Sequence, residues 1–100
     1  MYTLGIDIGS TTSKCVILKD GTEITATSIV VAGTGTKGPE KALKEVFEKA
    51  GITRKGIGAA IATGYGRKLF TEADKEISEH SCHVRGVHYI FPPVRTIIDI

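Results

Sequence analysis

No run of this sequence approaches the roughly 18 apolar residues that a membrane-spanning helix needs, and no basic N-terminal stretch leads into an apolar export segment. These absences predict a cytoplasmic protein that stays out of the membrane. Cysteine is scarce. Cys15 and Cys82 lie far apart and fit neither a CxxC motif nor a zinc spacing, which leaves two small buried thiols as the expectation. Lys and Arg form no block and the net charge is only +2, so the footprint of a nucleic-acid binder is missing. No repeat, low-complexity tract or interdomain linker divides the 100 residues.

What is present suits one small core: 41% of residues are hydrophobic and 24% charged. Tyr2 to Ile8 alternates, runs into Gly9-Ser10-Thr11-Thr12, and an apolar run resumes at Cys15-Val16-Ile17-Leu18. Lys19-Asp20-Gly21-Thr22 holds the Asp-Gly pair favoured in hairpin turns, and Glu23 to Ala32 is rich in Thr, Ile and Val. Three antiparallel strands are predicted. After the glycine-rich break from Gly33 to Gly38, Pro39 opens a helix whose apolar positions Ala42, Leu43, Val46, Phe47 and Ala50 recur at three and four residues, with Gly51 as its stop.

Ile57 to Ala62 is short and apolar throughout, which predicts a parallel strand buried on both faces, followed by a loop at Thr63-Gly64-Tyr65-Gly66-Arg67. From Ser78 to Phe91 the spacing of Cys82, Val84, Val87, Ile90 and Phe91 predicts a second helix, ended by Pro92-Pro93. Val94 to Ile100 reads as the fifth strand and stops without a turn or polar tail, so a fragment of a longer protein is expected. The order is β-β-β-α-β-α-β. It predicts an α/β fold of ribonuclease-H-like layout, a mixed five-stranded sheet with helices covering its faces.

The turn from Gly9 to Thr12 offers successive backbone N–H groups and hydroxyls, and its glycine lets an anion approach the main chain. Asp7 at the strand end is placed to hold Mg²⁺ through water, and Lys14 to neutralise phosphate charge. The segment is neither a Walker loop nor GxGxxG, both of which open a helix where this one opens a strand. A plain hairpin turn, with Asp7 bonded to the turn and Lys14 solvated, fits the pattern as well. Asp99 tips the balance toward phosphate, because it ends the predicted fifth strand where parallel sheets place ligands.

Four stretches together carry a resemblance: Leu4-Gly5-Ile6-Asp7-Ile8-Gly9-Ser10-Thr11-Thr12-Ser13-Lys14-Cys15, Ala62-Thr63-Gly64-Tyr65-Gly66-Arg67, Ser81-Cys82-His83 with Gly86, and Val94-Arg95-Thr96-Ile97-Ile98-Asp99-Ile100. The chain resembles the activator component of 2-hydroxyglutaryl-CoA dehydratase and the related ATPase subunits of benzoyl-CoA reductase. These belong to the superfamily of acetate and sugar kinases, heat-shock chaperone ATPases and actin. The resemblance implies residues 1–100 of an actin-like ATPase domain, its N-terminal subdomain. It implies an ATPase that couples hydrolysis, with Mg, to passing one low-potential electron from a [4Fe-4S] cluster to a 2-hydroxyacyl-CoA dehydratase partner, and a homodimer at full length.

Carried over residue by residue, the family's first phosphate loop falls on Asp7, Gly9, Ser10, Thr11, Thr12 and Lys14, and its second phosphate motif begins at Asp99. The family's Gly-Gly-Gln-Asp run, cluster cysteines and adenosine motif lie beyond the last residue here, and Cys15 and Cys82 do not match the cluster ligands. The 100 residues by themselves are therefore expected to hydrolyse ATP poorly or not at all.

Other readings stay open. A small-molecule kinase of the same superfamily would need a substrate loop and acceptor base that the sequence does not display. A ribonuclease-H-like nuclease using Asp7 and Asp99 with two metals would need another carboxylate, for which Glu23 and Asp74 are poor candidates. A non-catalytic piece that self-associates through open sheet edges is the third. His80 and His83 are spaced to share a helix face as a metal pair, though packed or solvated histidines, like His88, fit as well. Thr63 to Arg67 reads as a cleft-rim or docking loop in which Arg67 meets an acidic group, or as an ordinary glycine turn.

Overall fold

A computed structural model describes residues 1–96. β1 (Tyr2–Ile8), β2 (Ser13–Lys19) and β3 (Glu23–Val30) form an antiparallel meander. Asp20 and Gly21 take φ of 53° and 74°, the paired left-handed geometry of a tight hairpin. α1 (Gly38–Ala50) follows, with Pro39 in its first turn and Gly51 as its left-handed cap. The chain then enters β4 (Ile57–Thr63), parallel to β1, and β5 (Lys75–Glu76), parallel to β4, before α2 (Glu79–Ile90). The sheet order is β3-β2-β1-β4-β5.

Alternate residues of the strands make one side of the core. Leu4, Ile6 and Ile8 of β1, Cys15 and Ile17 of β2, Ala26 of β3, and Ala60 and Ala62 of β4 pack with Ala42, Leu43 and Val46 of α1. Ser28, buried beneath the helix, donates to the Ala42 carbonyl at 2.7 Å and so satisfies the polar group it carries inward. The residues in between, among them Asp7, Val16, Leu18, Ile61 and Thr63, face away from α1.

The α/β fold class, the mixed five-stranded sheet and both helices stand as the sequence predicts. Three details differ. The fifth strand of the sheet among the described residues is the short Lys75–Glu76, which hydrogen bonding to β4 creates without any apolar run. Val94 to Thr96 carry no strand, and the rest of the predicted terminal strand, including Asp99, lies outside the described residues. β4 alternates instead of being buried on both sides, with Ala60 and Ala62 inside and Ile61 38% exposed, because among the described residues α1 covers one face of the sheet and α2 buries nothing against the other. α2 spans the predicted residues but buries none of them; Val84, Val87, Ile90 and Phe91 all stay exposed, and Cys82 is only half-buried.

Candidate functional site

The C-terminal ends of the parallel strands β1 and β4 meet the β1–β2 turn. The turn closes by a hydrogen bond from the Gly9 N–H to the Thr12 carbonyl at 2.8 Å. Among the described residues the N–H groups of Ser10, Thr11 and Thr12 donate to no backbone carbonyl. A turn with free, consecutive donors is what an anion requires.

Asp7 and Lys14 are register partners across β1 and β2, so both side chains project from the face away from α1. Lys14 is exposed and forms no ion pair among the described residues. Thr63 of β4 is the register partner of Asp7 on its other side. Asp7 Oδ1 and Thr63 Oγ1 are both sealed from solvent with no hydrogen-bond partner among the described residues. Leaving a carboxylate oxygen in that state is costly, which marks the pair as a candidate for a function.

Two further segments, neither assigned a part in phosphate binding from sequence, hold this turn in place. The Thr34 N–H and its hydroxyl both donate to the Gly9 carbonyl, at 2.9 and 3.0 Å. Ser13 at the start of β2 ties the same loop down by donating to the Ala32 carbonyl at 2.7 Å. Gly33 packs so closely that a Cβ there would run into the Gly9 carbonyl and lie 2.6 Å from Ser10 carbonyl atoms. On the β4 side, the Gly66 N–H donates to the Ile8 carbonyl at 2.8 Å. Gly64, at φ 91°, lies against Asp7 Oδ1 with no room for a side chain.

Arg67 fastens that second loop. Its guanidinium donates to the Gly64 carbonyl at 3.2 Å, and its Nε lies 2.7 Å from Glu76 Oε2 as an ion pair. Arg67 therefore meets Glu76 of β5 within the chain, and the Thr63–Arg67 loop lies against the end of β1. Glycine spacing marks these segments in the sequence as turns, but nothing in spacing reveals that they press on the β1–β2 turn.

The remaining candidates lie elsewhere. Cys15 is 3% exposed, and burial pushes its thiol up to about 11 against an opposing hydrogen bond with Ser28. Asp74 accepts from the Ala60 N–H at 2.6 Å, and Glu23 is exposed at the start of β3, so neither joins Asp7 as a nuclease carboxylate. His80, His83 and His88 lie on exposed α2, and no group of three metal-ligating side chains occurs among the described residues. A cleft of about 560 Å³ opens on the α1 side, lined by Ile8, Thr34, Leu43, Phe47 and Phe70 among others, but not by the turn, Asp7 or Lys14.

The family model for BadF/BadG/BcrA/BcrD ATPases matches residues 4–100. The chain belongs to the BadF/BadG/BcrA/BcrD ATPase family. It is 55% identical over its full length to an activator of lactoyl-CoA dehydratase from Anaerotignum propionicum, covering 39% of that protein. It is 54% identical to the (R)-2-hydroxyglutaryl-CoA dehydratase activating ATPase of Acidaminococcus fermentans, again covering 39%. Its structure matches the activator of the 2-hydroxyisocaproyl-CoA dehydratase from Clostridium difficile with bound ADPNP at a TM-score of 0.94 and 54% identity, over all of this chain and 37% of that one. The chain spans less than two fifths of the length of these family members.

Proposed function

We propose that these residues are the N-terminal, phosphate-binding subdomain of an actin-like ATPase that activates a 2-hydroxyacyl-CoA dehydratase. The observation that carries the reading is the β1–β2 turn, whose consecutive unbonded N–H groups stand beside a carboxylate and an ammonium in register. The names of the similar activators, one of them holding ADPNP, support ATP as the ligand and a dehydratase as the partner.

The residues fit nucleotide and metal. Asp7 carries a buried oxygen without a donor, and Gly33 and Gly64 bring backbone where any side chain would collide. In this reading the N–H groups and hydroxyls of Ser10, Thr11 and Thr12 hold the β- and γ-phosphates, with Gly9 giving the main chain its close approach. Lys14 offsets the charge that develops on the phosphate oxygens, and Asp7 orients water in the shell of Mg²⁺. Asp99, outside the described residues, is assigned the second carboxylate of the site. Bound Mg²⁺ supplies charge neutralisation across the phosphates. The described residues do not fit a [4Fe-4S] cluster: Cys15 is sealed in the core with its proton held and Cys82 has no partner thiol on α2, so no electron-transfer step is assigned to them. Homodimerisation remains an expectation of the family resemblance.

ATP turnover and ADP affinity in the complete gene product test the reading. Asp7→Asn and Lys14→Ala are each expected to lower turnover about a hundredfold, the scale of losing one preorganised electrostatic contact. Parental turnover and nucleotide affinity in both variants would overturn the assignment.

A further inference from the structure

We infer that Thr63 is the positioning residue for Asp7: its hydroxyl is the donor that Asp7 Oδ1 lacks, and their hydrogen bond aims the other carboxylate oxygen at the nucleotide site. The inference rests on the phosphate-site reading above and adds a residue to it.

Asp7 and Thr63 are register partners in the parallel β1–β4 pair, so their side chains leave the same face of the sheet side by side. Each carries one sealed atom without a partner, Oδ1 on Asp7 and Oγ1 on Thr63. An ionised carboxylate oxygen can only accept, and a hydroxyl can donate. The two deficits are complementary.

Several nearby donors are directed elsewhere. Gly64 lies against Oδ1, so the backbone itself keeps water from that oxygen. On the other side of Asp7, Lys14 is exposed and outside any ion pair, as a side chain directed to solvent and phosphate should be. Arg67, the nearest cation along the loop, donates to the Gly64 carbonyl and pairs as an ion with Glu76, although its Nε is itself sealed without a hydrogen-bond partner among the described residues. The turn hydroxyl Ser13 is spent on Ala32, and Thr34 on Gly9.

A rotation about the Thr63 Cα–Cβ bond redirects the hydroxyl between staggered positions while the backbone stays fixed in the sheet. The Gly66 N–H donates to the Ile8 carbonyl at 2.8 Å, one residue from Asp7, and so ties the Thr63–Arg67 loop to the end of β1. A carboxylate held at Oδ1 presents Oδ2 in a fixed direction. Without the hydrogen bond the carboxylate rotates about its own bond and divides its time between orientations.

The test is Mn²⁺ affinity of the ADP-loaded complete gene product, read by electron paramagnetic resonance, beside ADP affinity without metal. Thr63→Val keeps the shape and removes the hydroxyl, and Thr63→Ser keeps the donor. Because Thr63→Val leaves a sealed carboxylate oxygen without its donor, unfolding midpoints are measured beside affinity, and the Mn²⁺ comparison is made where each variant is fully folded. The expected result is Mn²⁺ affinity lowered about tenfold in Thr63→Val, the scale of a hydrogen bond to a charged group, and within about twofold of parent in Thr63→Ser. Metal-free ADP affinity is expected to stay at the parental value in both.

Parental Mn²⁺ affinity in Thr63→Val would overturn the inference. So would a Thr63→Ser variant as weak as Thr63→Val, or a loss of metal-free ADP affinity by the same factor, since both describe packing. Asp7→Asn separates the two levels. If it loses Mn²⁺ affinity while Thr63→Val does not, only the role of Thr63 falls; if it too behaves as parent, the phosphate-site reading falls with it.

Discussion

Gly33 and Gly64 stand where the main chain leaves no space for a methyl group, one against the Gly9–Ser10 backbone and the other against Asp7 and Ile8. Gly64 adds a φ of 91°, which a side chain disfavours. Gly33→Ala and Gly64→Ala are each expected to cost about 2 kcal/mol or more, from overpacking against backbone that cannot yield. Urea unfolding measures the cost, and a change under about 0.5 kcal/mol, the scale of a surface substitution, would show that the loops relax. Cys15 makes a different prediction. Burial raises its pKa from the ordinary 9.0 to about 11, so the folded state keeps its proton longer than the unfolded chain does. The stability this confers is complete below about pH 9 and is lost as the pH rises through about 11, some 2 to 3 kcal/mol in all. Cys15→Ala should flatten that alkaline limb relative to parent in unfolding series at pH 8 to 11. Equal slopes would contradict the burial.

The helices of this chain separate in how they are held. α1 carries an apolar stripe into the sheet, with Ala42 and Val46 fully buried, and ends in a capped turn where the Gly51 N–H reaches the Phe47 carbonyl at 3.0 Å. α2 begins with a side-chain cap, Ser78 Oγ accepting from the Ser81 N–H at 3.3 Å, yet buries no residue. A helix of this length has little stability without tertiary packing. Amide hydrogen exchange should therefore protect α1, β1 and β4 well above α2. Comparable protection in α2 would mean that its apolar residues have a partner in solution. Periodicity made both helices legible because it records which residues are apolar. It does not record what stands opposite them, and so the exposure of α2 and of Ile61 could not be read in advance.

At the scale of the whole chain, the face of the sheet away from α1 shows apolar side chains at Val16, Leu18 and Ile61, and the edge strand β3 exposes Ile24 and Ile29. An open edge of eight residues is a template for pairing with another copy. Light scattering of these 100 residues should show mass rising with concentration, and Ile24→Lys with Ile29→Lys should suppress it. A constant monomer mass would count against that edge as a contact surface.

The strands β1 to β4, both helices and the turn from Gly9 to Thr12 were determined by the sequence alone, because periodicity, glycine and proline act within a few residues of themselves. The register that sets Asp7 opposite Lys14 was not, since a hairpin's register depends on how many residues its turn takes up. β5 was not, for Lys75 and Glu76 carry no strand signal and pair only because β4 offers them its edge. The pressing of Gly33 on Ser10 and of Gly64 on Asp7, and the meeting of Asp7 with Thr63, were decided by the tertiary structure. The end of the antiparallel meander returns Gly33 to the turn, and the parallel crossover that carries the chain past α1 into β4 brings Thr63 and Gly64 to Asp7.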